Sequence, residues 1–74
     1  MKNPVKEALL EIAPTVMGAC RKLEVGFENT RRIIAGIPRD VPASFKMALV
    51  QRAGWTDEKL NALDEAYRIW RAGH

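Results

Sequence analysis

The chain has 74 residues, of which 47% are hydrophobic and 28% are charged, and its formal net charge is +3. A chain of this length forms one domain with a small core, and this balance of apolar and charged residues is typical of folded rather than disordered proteins. One cysteine excludes an internal disulfide. Because no signal-peptide pattern and no membrane-spanning apolar run is evident either, we expect a reduced, cytoplasmic protein.

Apolar residues at helical spacing begin close to the N-terminus. Asn3 and Pro4 are a typical helix start, because Asn caps helices and Pro is tolerated at the first helical position. The apolar stripe that follows predicts a first helix over residues 4–12. Thr15 then predicts the cap of a second helix over about 15–24.

The segment from about residue 15 to residue 36 contains an apolar pattern that stops and then restarts. It predicts a third helix over about 27–35, with Gly36 at its end. Two short helices joined by so few residues cross steeply and share one core, which is the helix-turn-helix arrangement. The apolar residues on the facing sides of these two helices are Ala19, Cys20, Leu23, Thr30, Ile33 and Ile34.

Particular residues of this segment match a known family. They are a small residue at Cys20, then Arg21-Lys22-Leu23, then Val25 in the turn, and Thr30-Arg31-Arg32-Ile33-Ile34-Ala35-Gly36 at the end of the second helix of the pair. In these the chain resembles the Cro/repressor-type (XRE-like) helix-turn-helix proteins of phages and bacteria. Glu24 departs from the pattern, because glycine is most frequent there. The resemblance implies an all-α, lambda-repressor-like bundle of about five short helices, consistent with the helix count that the apolar pattern predicts.

Two further helices are predicted after a proline-rich connection over residues 37–42. Helix four runs from residue 42 or 43 to 53, and Gly54 predicts a left-handed end. Thr56 predicts the cap of helix five, over about 57–72. Helix five has two apolar sides, one with Leu60, Leu63, Tyr67 and Trp70 and the other with Ala62, Ala66 and Ile69.

One of these two sides covers the core, and the other is open to a partner, most simply a second copy of the chain. We expect the dimer interface at Leu63, Tyr67 and Trp70. The alternative is that Ile69 and Trp70 only pack the end of the last helix.

The excess of positive charge lies in the middle of the chain. Segments 1–20 and 55–74 are close to neutral, whereas residues 21–54 have an excess of about four positive charges. Such a surface suits a polyanion, because each phosphate that is neutralised releases counterions. The basic residues of 21–54 are Arg21, Lys22, Arg31, Arg32, Arg39, Lys46 and Arg52, and the acidic ones are Glu24, Glu28 and Asp40.

In the family that the chain resembles, the second helix of the pair lies in the major groove while the first crosses the DNA backbone. By position, the resemblance implies base contacts from Phe27, Glu28, Arg31 and Arg32, and phosphate contacts from Arg21, Lys22, Arg39 and Lys46. The alternative for Arg31 and Arg32 is a surface ion pair with Glu28. The alternative for Phe27 is a packing role.

The expected function is that of a homodimeric, sequence-specific regulator of transcription that binds an operator in double-stranded DNA, most simply a Cro-like repressor of a phage or prophage. Residues 37–55 also resemble phage CII-type activators, so the sign of regulation stays open. A second hypothesis is a helical protein-binding module without DNA binding, such as a phage inhibitor of a host protein or an antitoxin-like partner. Glu24 and Glu28 favour it, because carboxylates repel phosphate.

Catalytic patterns are missing from the sequence. His74 is the only histidine and the last residue, so no nucleophile has a histidine base within a folded segment. Cys20 has no second metal-ligating residue at a zinc-site spacing. We therefore expect no enzyme, cofactor, metal or small-molecule substrate, and no contact with a membrane.

Overall fold

The computed structural model describes residues 2–73, all of whose regular structure is helical. The helices are α1 (Pro4–Ile12), α2 (Val16–Leu23), α3 (Phe27–Ile34), α4 (Ala43–Ala53) and α5 (Asp57–Ala72). The prediction of an all-α bundle of five short helices is confirmed, and the predicted bounds differ from these by at most one residue. His74 lies outside the described residues. No helix between residues 2 and 73 has the length and hydrophobicity needed to cross a membrane.

Three helices begin at the side-chain caps that the sequence predicts. The Asn3 carboxamide oxygen accepts hydrogen bonds from the first turn of α1, and the hydroxyl oxygens of Thr15 and Thr56 do the same for α2 and α5. The Asn3 amide also donates to the Ile34 carbonyl oxygen at 2.6 Å. One asparagine therefore caps α1 and ties the end of α3 to it.

Three helices end in a residue with left-handed backbone angles. After α2 this residue is Glu24 (φ 56°), after α3 it is Gly36 (φ 77°) and after α4 it is Gly54 (φ 70°). In each case the next residue donates its backbone N–H to a carbonyl of the last helical turn at 3.1 Å, which closes the helix end. Glycine adopts these angles freely, whereas a residue with a Cβ costs about 1–2 kcal/mol there, so Glu24 strains the turn between α2 and α3.

The core lies mainly between α1, α2, α4 and α5. α1 packs against α2 and α5, α2 packs against α4, and α3 is attached to α1 and α2. Cys20 is buried, in agreement with the packing role predicted for it. The largest fully buried side chains are Tyr67, Leu9, Leu23, Leu49, Val5 and Thr30.

α5 turns one of its two apolar sides into this core. Leu63, Tyr67 and Trp70 are at most 6% exposed. Their burial contradicts the prediction that they form a dimer interface, because side chains enclosed by their own chain offer no surface to a second copy. The other side of α5 lies outside, with Ala62 and Ala66 exposed and Ile69 55% exposed.

The end of α5 also holds the connection between α3 and α4. The Tyr67 hydroxyl donates to the Pro38 carbonyl oxygen at 2.6 Å, and the Arg71 Nε donates to the Gly36 carbonyl oxygen at 2.9 Å. Burial raises the pKa of the Tyr67 hydroxyl, and Arg71 opposes part of that rise. These hydrogen bonds fix where α3 ends and where the chain turns towards α4.

Candidate nucleic-acid interface

α3 is attached to the protein by one side and leaves the opposite side in water. Thr30 and Ile33 are at most 4% exposed and face the core. The Thr30 hydroxyl donates to the Gly26 carbonyl oxygen at 2.8 Å, so burying this polar group leaves it hydrogen-bonded. Glu28, Arg31, Arg32 and Ala35 are exposed on the far side, which we call the outer face of α3.

The predicted base-contact residues divide into exposed and half-buried positions. Arg31 forms an ion pair with Glu28 at 3.3 Å, and both side chains are more than half exposed. A pair of this kind contributes only about 0.2–1 kcal/mol and is readily exchanged for another partner. The Arg32 side chain is exposed and makes no ion pair or hydrogen bond with another residue of the described chain. Phe27 is half-buried, which favours the packing alternative for this residue.

The predicted phosphate-contact residues are more scattered. Arg21 is exposed, and its guanidinium lies 3.9 Å from the Met17 sulfur. The Lys22 ammonium group donates to the Ile12 carbonyl oxygen at 3.2 Å, where it offsets the negative end of α1. Both side chains remain in contact with solvent.

The other two phosphate candidates lie towards α5. Arg39 is exposed and lines a shallow cleft together with Arg68 and Arg71. The Lys46 ammonium group lies 3.0 Å from a carboxylate oxygen of Asp64, and the two side chains are only 32% and 17% exposed. Because Lys46 already has a partly buried anionic partner, its position does not support the predicted phosphate contact, and it ties α4 to α5 instead.

A groove of about 630 Å³ separates α3 from α4, and we call it the α3–α4 groove. It exists because both helices rest on α2 and not on each other along their length. Its floor reaches the core at Leu23, Ile33 and Phe45. The remaining apolar lining comes from Val25, Pro38, Pro42, Met47 and Ala48, and the polar rim from Glu24, Asn29, Arg32, Ser44, Gln51 and Arg52.

One ion pair joins the turn before α3 to the end of α4. The Arg52 guanidinium lies 2.6 Å from a carboxylate oxygen of Glu24, so the start of α3 is beside the end of α4. Arg32, in the second half of α3, and Ser44, in the first turn of α4, line the same groove. The first turn of α4 has no side-chain cap, and its free N–H groups carry the positive end of the helix dipole.

The sequence interpretation missed the polar rim of this groove. The sequence could have indicated Asn29, because it precedes Arg32 by three residues and therefore lies on the same side of α3. The pairing of Glu24 with Arg52 had no such signal, since the two residues are far apart in the chain and meet only through the packing of α4 on α2. The charge count along the sequence included Arg52 in the positive excess of residues 21–54. It could not show that Glu24 neutralises this arginine in the folded protein.

No group of three or more His, Cys, Asp or Glu side chains within residues 2–73 is arranged to hold a metal ion. Comparison of the chain with protein-family models, with curated proteins and with solved structures yields no match. The resemblance to Cro/repressor-type proteins therefore depends on the residues quoted above, and the helix-turn-helix stays a prediction.

Proposed function

We propose that the protein is a sequence-specific regulator of transcription that binds double-stranded DNA through the outer face of α3. The observation that carries this proposal is the exposure of Arg31 and Arg32 on a helix whose opposite side is fixed by Thr30 and Ile33. Neither arginine is covered by α5, whose end lies instead against the connection after α3. The outer face is thus free to approach a duplex.

The size and chemistry of α3 suit the major groove. A helix of 8 residues is about 12 Å long, and the major groove is about 12 Å wide. Arg31 and Arg32 would each donate two parallel hydrogen bonds to a guanine, and Glu28 would accept one from a cytosine amino group. Exchange of the Glu28 pair for a base costs Arg31 little, because that pair is exposed. Arg21, Lys22 and Arg39 would contact phosphates on the flanks.

DNA affinity measured over a range of salt concentrations tests this proposal. The fragments are selected from a random-sequence pool. Replacing Arg31 or Arg32 by alanine should cost about 1–3 kcal/mol on the selected sequence and little on unrelated DNA. Lys22→Ala should weaken binding to all DNA and lower the log-log salt slope by about one.

Lys6→Ala is the control, because it removes an exposed cation of α1 that lines neither the α3–α4 groove nor the cleft of Arg39. Equal affinity of the parent, the two α3 variants and the control would reject the outer face as the DNA-binding surface. Absence of salt-dependent binding to any fragment would reject DNA binding altogether.

A homodimer is part of the proposal, with its interface moved to the exposed side of α5. Ala62, Ala66 and Ile69 form this side, and small residues allow a second helix to approach closely. Two copies would present two α3 helices to half-sites about 34 Å apart.

Ile69→Glu should shift the chain from dimer to monomer in sedimentation equilibrium. Leu10→Glu, at an exposed apolar residue of α1, should leave the mass unchanged. A parent chain that is already monomeric at high concentration would remove the dimer from the proposal.

A protein-binding module is the second candidate function, and the apolar surface of α4 favours it. Met47 is 58% exposed and Val50 is 43% exposed on this helix. Single apolar residues are common on protein surfaces, so this observation weighs less than the paired arginines. Loss of DNA binding in every arm of the salt titration would make this the leading function.

A further inference from the structure

We infer that the α3–α4 groove binds a small amphiphilic anion, an aryl or alkyl group that carries one carboxylate or sulfonate, with the anion at Arg32. A volume of about 630 Å³ falls within the range of about 300–1,000 Å³ that is usual for small-molecule sites. The inference concerns a ligand other than DNA and a surface that shares only Arg32 with the outer face of α3.

The apolar lining of the groove favours an apolar body. Leu23, Ile33 and Phe45 lie behind it and are at most 4% exposed. The apolar surface that a ligand can still cover therefore comes from Met47, which is 58% exposed, and from the half-buried Val25 and Ala48. Each apolar Å² removed from water there contributes about 25 cal/mol.

The charge distribution along the groove fixes where the anion lies. Arg52 on the rim is neutralised by Glu24 at 2.6 Å. Arg32 on the same rim has no anionic partner among residues 2–73. An unpaired guanidinium group favours an anion, and the Ser44 hydroxyl lines the same groove as a further donor. The one unpaired cation that the described residues place on the rim therefore fixes the anion at Arg32.

The groove also bears on the proposed function. Arg32 belongs both to the rim of the groove and to the outer face of α3, so a bound anion and a DNA base would compete for one guanidinium group. This part of the inference rests on DNA binding: an amphiphilic anion would then lower the affinity for DNA.

Two fluorescent probes that differ in one charged group test the site. 8-Anilinonaphthalene-1-sulfonate carries a sulfonate, and N-phenyl-1-naphthylamine is the same aromatic body without it. Both should bind the parent chain. Arg32→Gln should weaken the sulfonate probe about 3- to 10-fold, the range for one exposed charge-assisted contact, and leave the neutral probe unchanged. Arg68→Gln makes the same change in net charge and should affect neither probe.

Filling the groove tests its position. Ala48→Trp places an indole in the half-buried wall of α4 and should weaken both probes at least about 10-fold, since it removes the apolar space. In case this variant fails to fold, amide chemical shifts of the parent titrated with the sulfonate probe provide a second measurement. They should change first at Asn29, Ile33, Ala48 and Gln51.

Each of the following results would contradict one part of this inference. Amide shifts that cluster on α1 or α5 would reject the groove as the site. Probes that bind Arg32→Gln and the parent equally would reject the anion and leave an apolar groove suited to protein side chains. If the parent binds DNA, an unchanged DNA affinity at saturating sulfonate probe would reject competition. If the parent binds no DNA, the proposed function fails while the probe titrations still decide the site.

Discussion

α3 and α5 illustrate two ways in which this chain uses a helix. α5 has 16 residues and buries Leu63, Tyr67 and Trp70, whereas α3 has 8 residues and buries only Thr30 and Ile33. α5 also donates two hydrogen bonds to the connection after α3, while the outer face of α3 contacts solvent alone. The difference indicates that α5 contributes stability, whereas the outer face of α3 stays open to solvent, as the proposed DNA contact requires.

The largest effect that tests this contrast is expected from Trp70→Ala. The variant removes a side chain that is 6% exposed and should lower the free energy of unfolding by about 3–5 kcal/mol. Ile69→Ala is the neighbouring control. Since Ile69 is 55% exposed, its loss should cost about 0.5 kcal/mol. Urea unfolding at low protein concentration measures both, and similar values for the two variants would contradict the assignment of the buried side of α5.

A smaller effect is expected where α3 ends against α5. Gly36 has φ +77°, and a Cβ at this residue would lie 3.0 Å from a ring carbon of Trp70. Gly36→Ala should therefore cost about 2 kcal/mol, from backbone strain and from crowding of a buried ring.

Gly54→Ala separates the two causes. Its φ is +70°, but a Cβ there would meet nothing within 4 Å, so only the backbone cost of about 1 kcal/mol applies. Thermal unfolding of the two variants gives the difference. If Gly36→Ala is no worse than Gly54→Ala, then Trp70 does not fix the end of α3.

Helix bounds were predictable because their causes are local. Asn3, Thr15 and Thr56 cap helices through hydrogen bonds to residues two or three positions later, and Gly36 and Gly54 end helices through their own backbone angles. Such signals lie within one helical turn of sequence. The five helices could therefore be placed without knowing how they pack.

Partners across the fold were not predictable, because they depend on packing between distant segments. Both sides of α5 are apolar in the sequence, and periodicity alone did not tell which one faces α1. Lys46 was expected at a phosphate because its partner Asp64 lies 18 residues away. The α3–α4 groove was missed for the same reason, since it lies between helices that α2 holds apart.

Tyr67→Phe should have an intermediate effect that depends on pH. At neutral pH the loss of the 2.6 Å hydrogen bond to the Pro38 carbonyl oxygen should cost about 1 kcal/mol. Burial raises the pKa of Tyr67 in the folded protein, so the folded state binds this proton more tightly than the unfolded state. The corresponding stability is present below about pH 10, the value for an unperturbed tyrosine, and is lost as the pH rises through the raised folded pKa.

Urea unfolding at about pH 8 and about pH 11 checks this sign. The parent should lose stability relative to Tyr67→Phe between the two values, because only the parent has this hydroxyl. A difference between parent and variant that stays constant with pH would show that the Tyr67 proton is held no more tightly in the folded state.

The smallest effect is expected at the turn that precedes α3. Glu24 has left-handed backbone angles and pairs with Arg52. Glu24→Ala removes the pair and keeps the backbone strain, whereas Glu24→Gly removes both. Because the pair is exposed it contributes about 0–1 kcal/mol, so Glu24→Gly should be more stable than Glu24→Ala by about 1 kcal/mol and close to the parent. Thermal unfolding measures the order. If Glu24→Gly were the less stable of the two, the strain at this turn would be absent, and the weaker attachment of α3 compared with α5 would come from its small buried side alone.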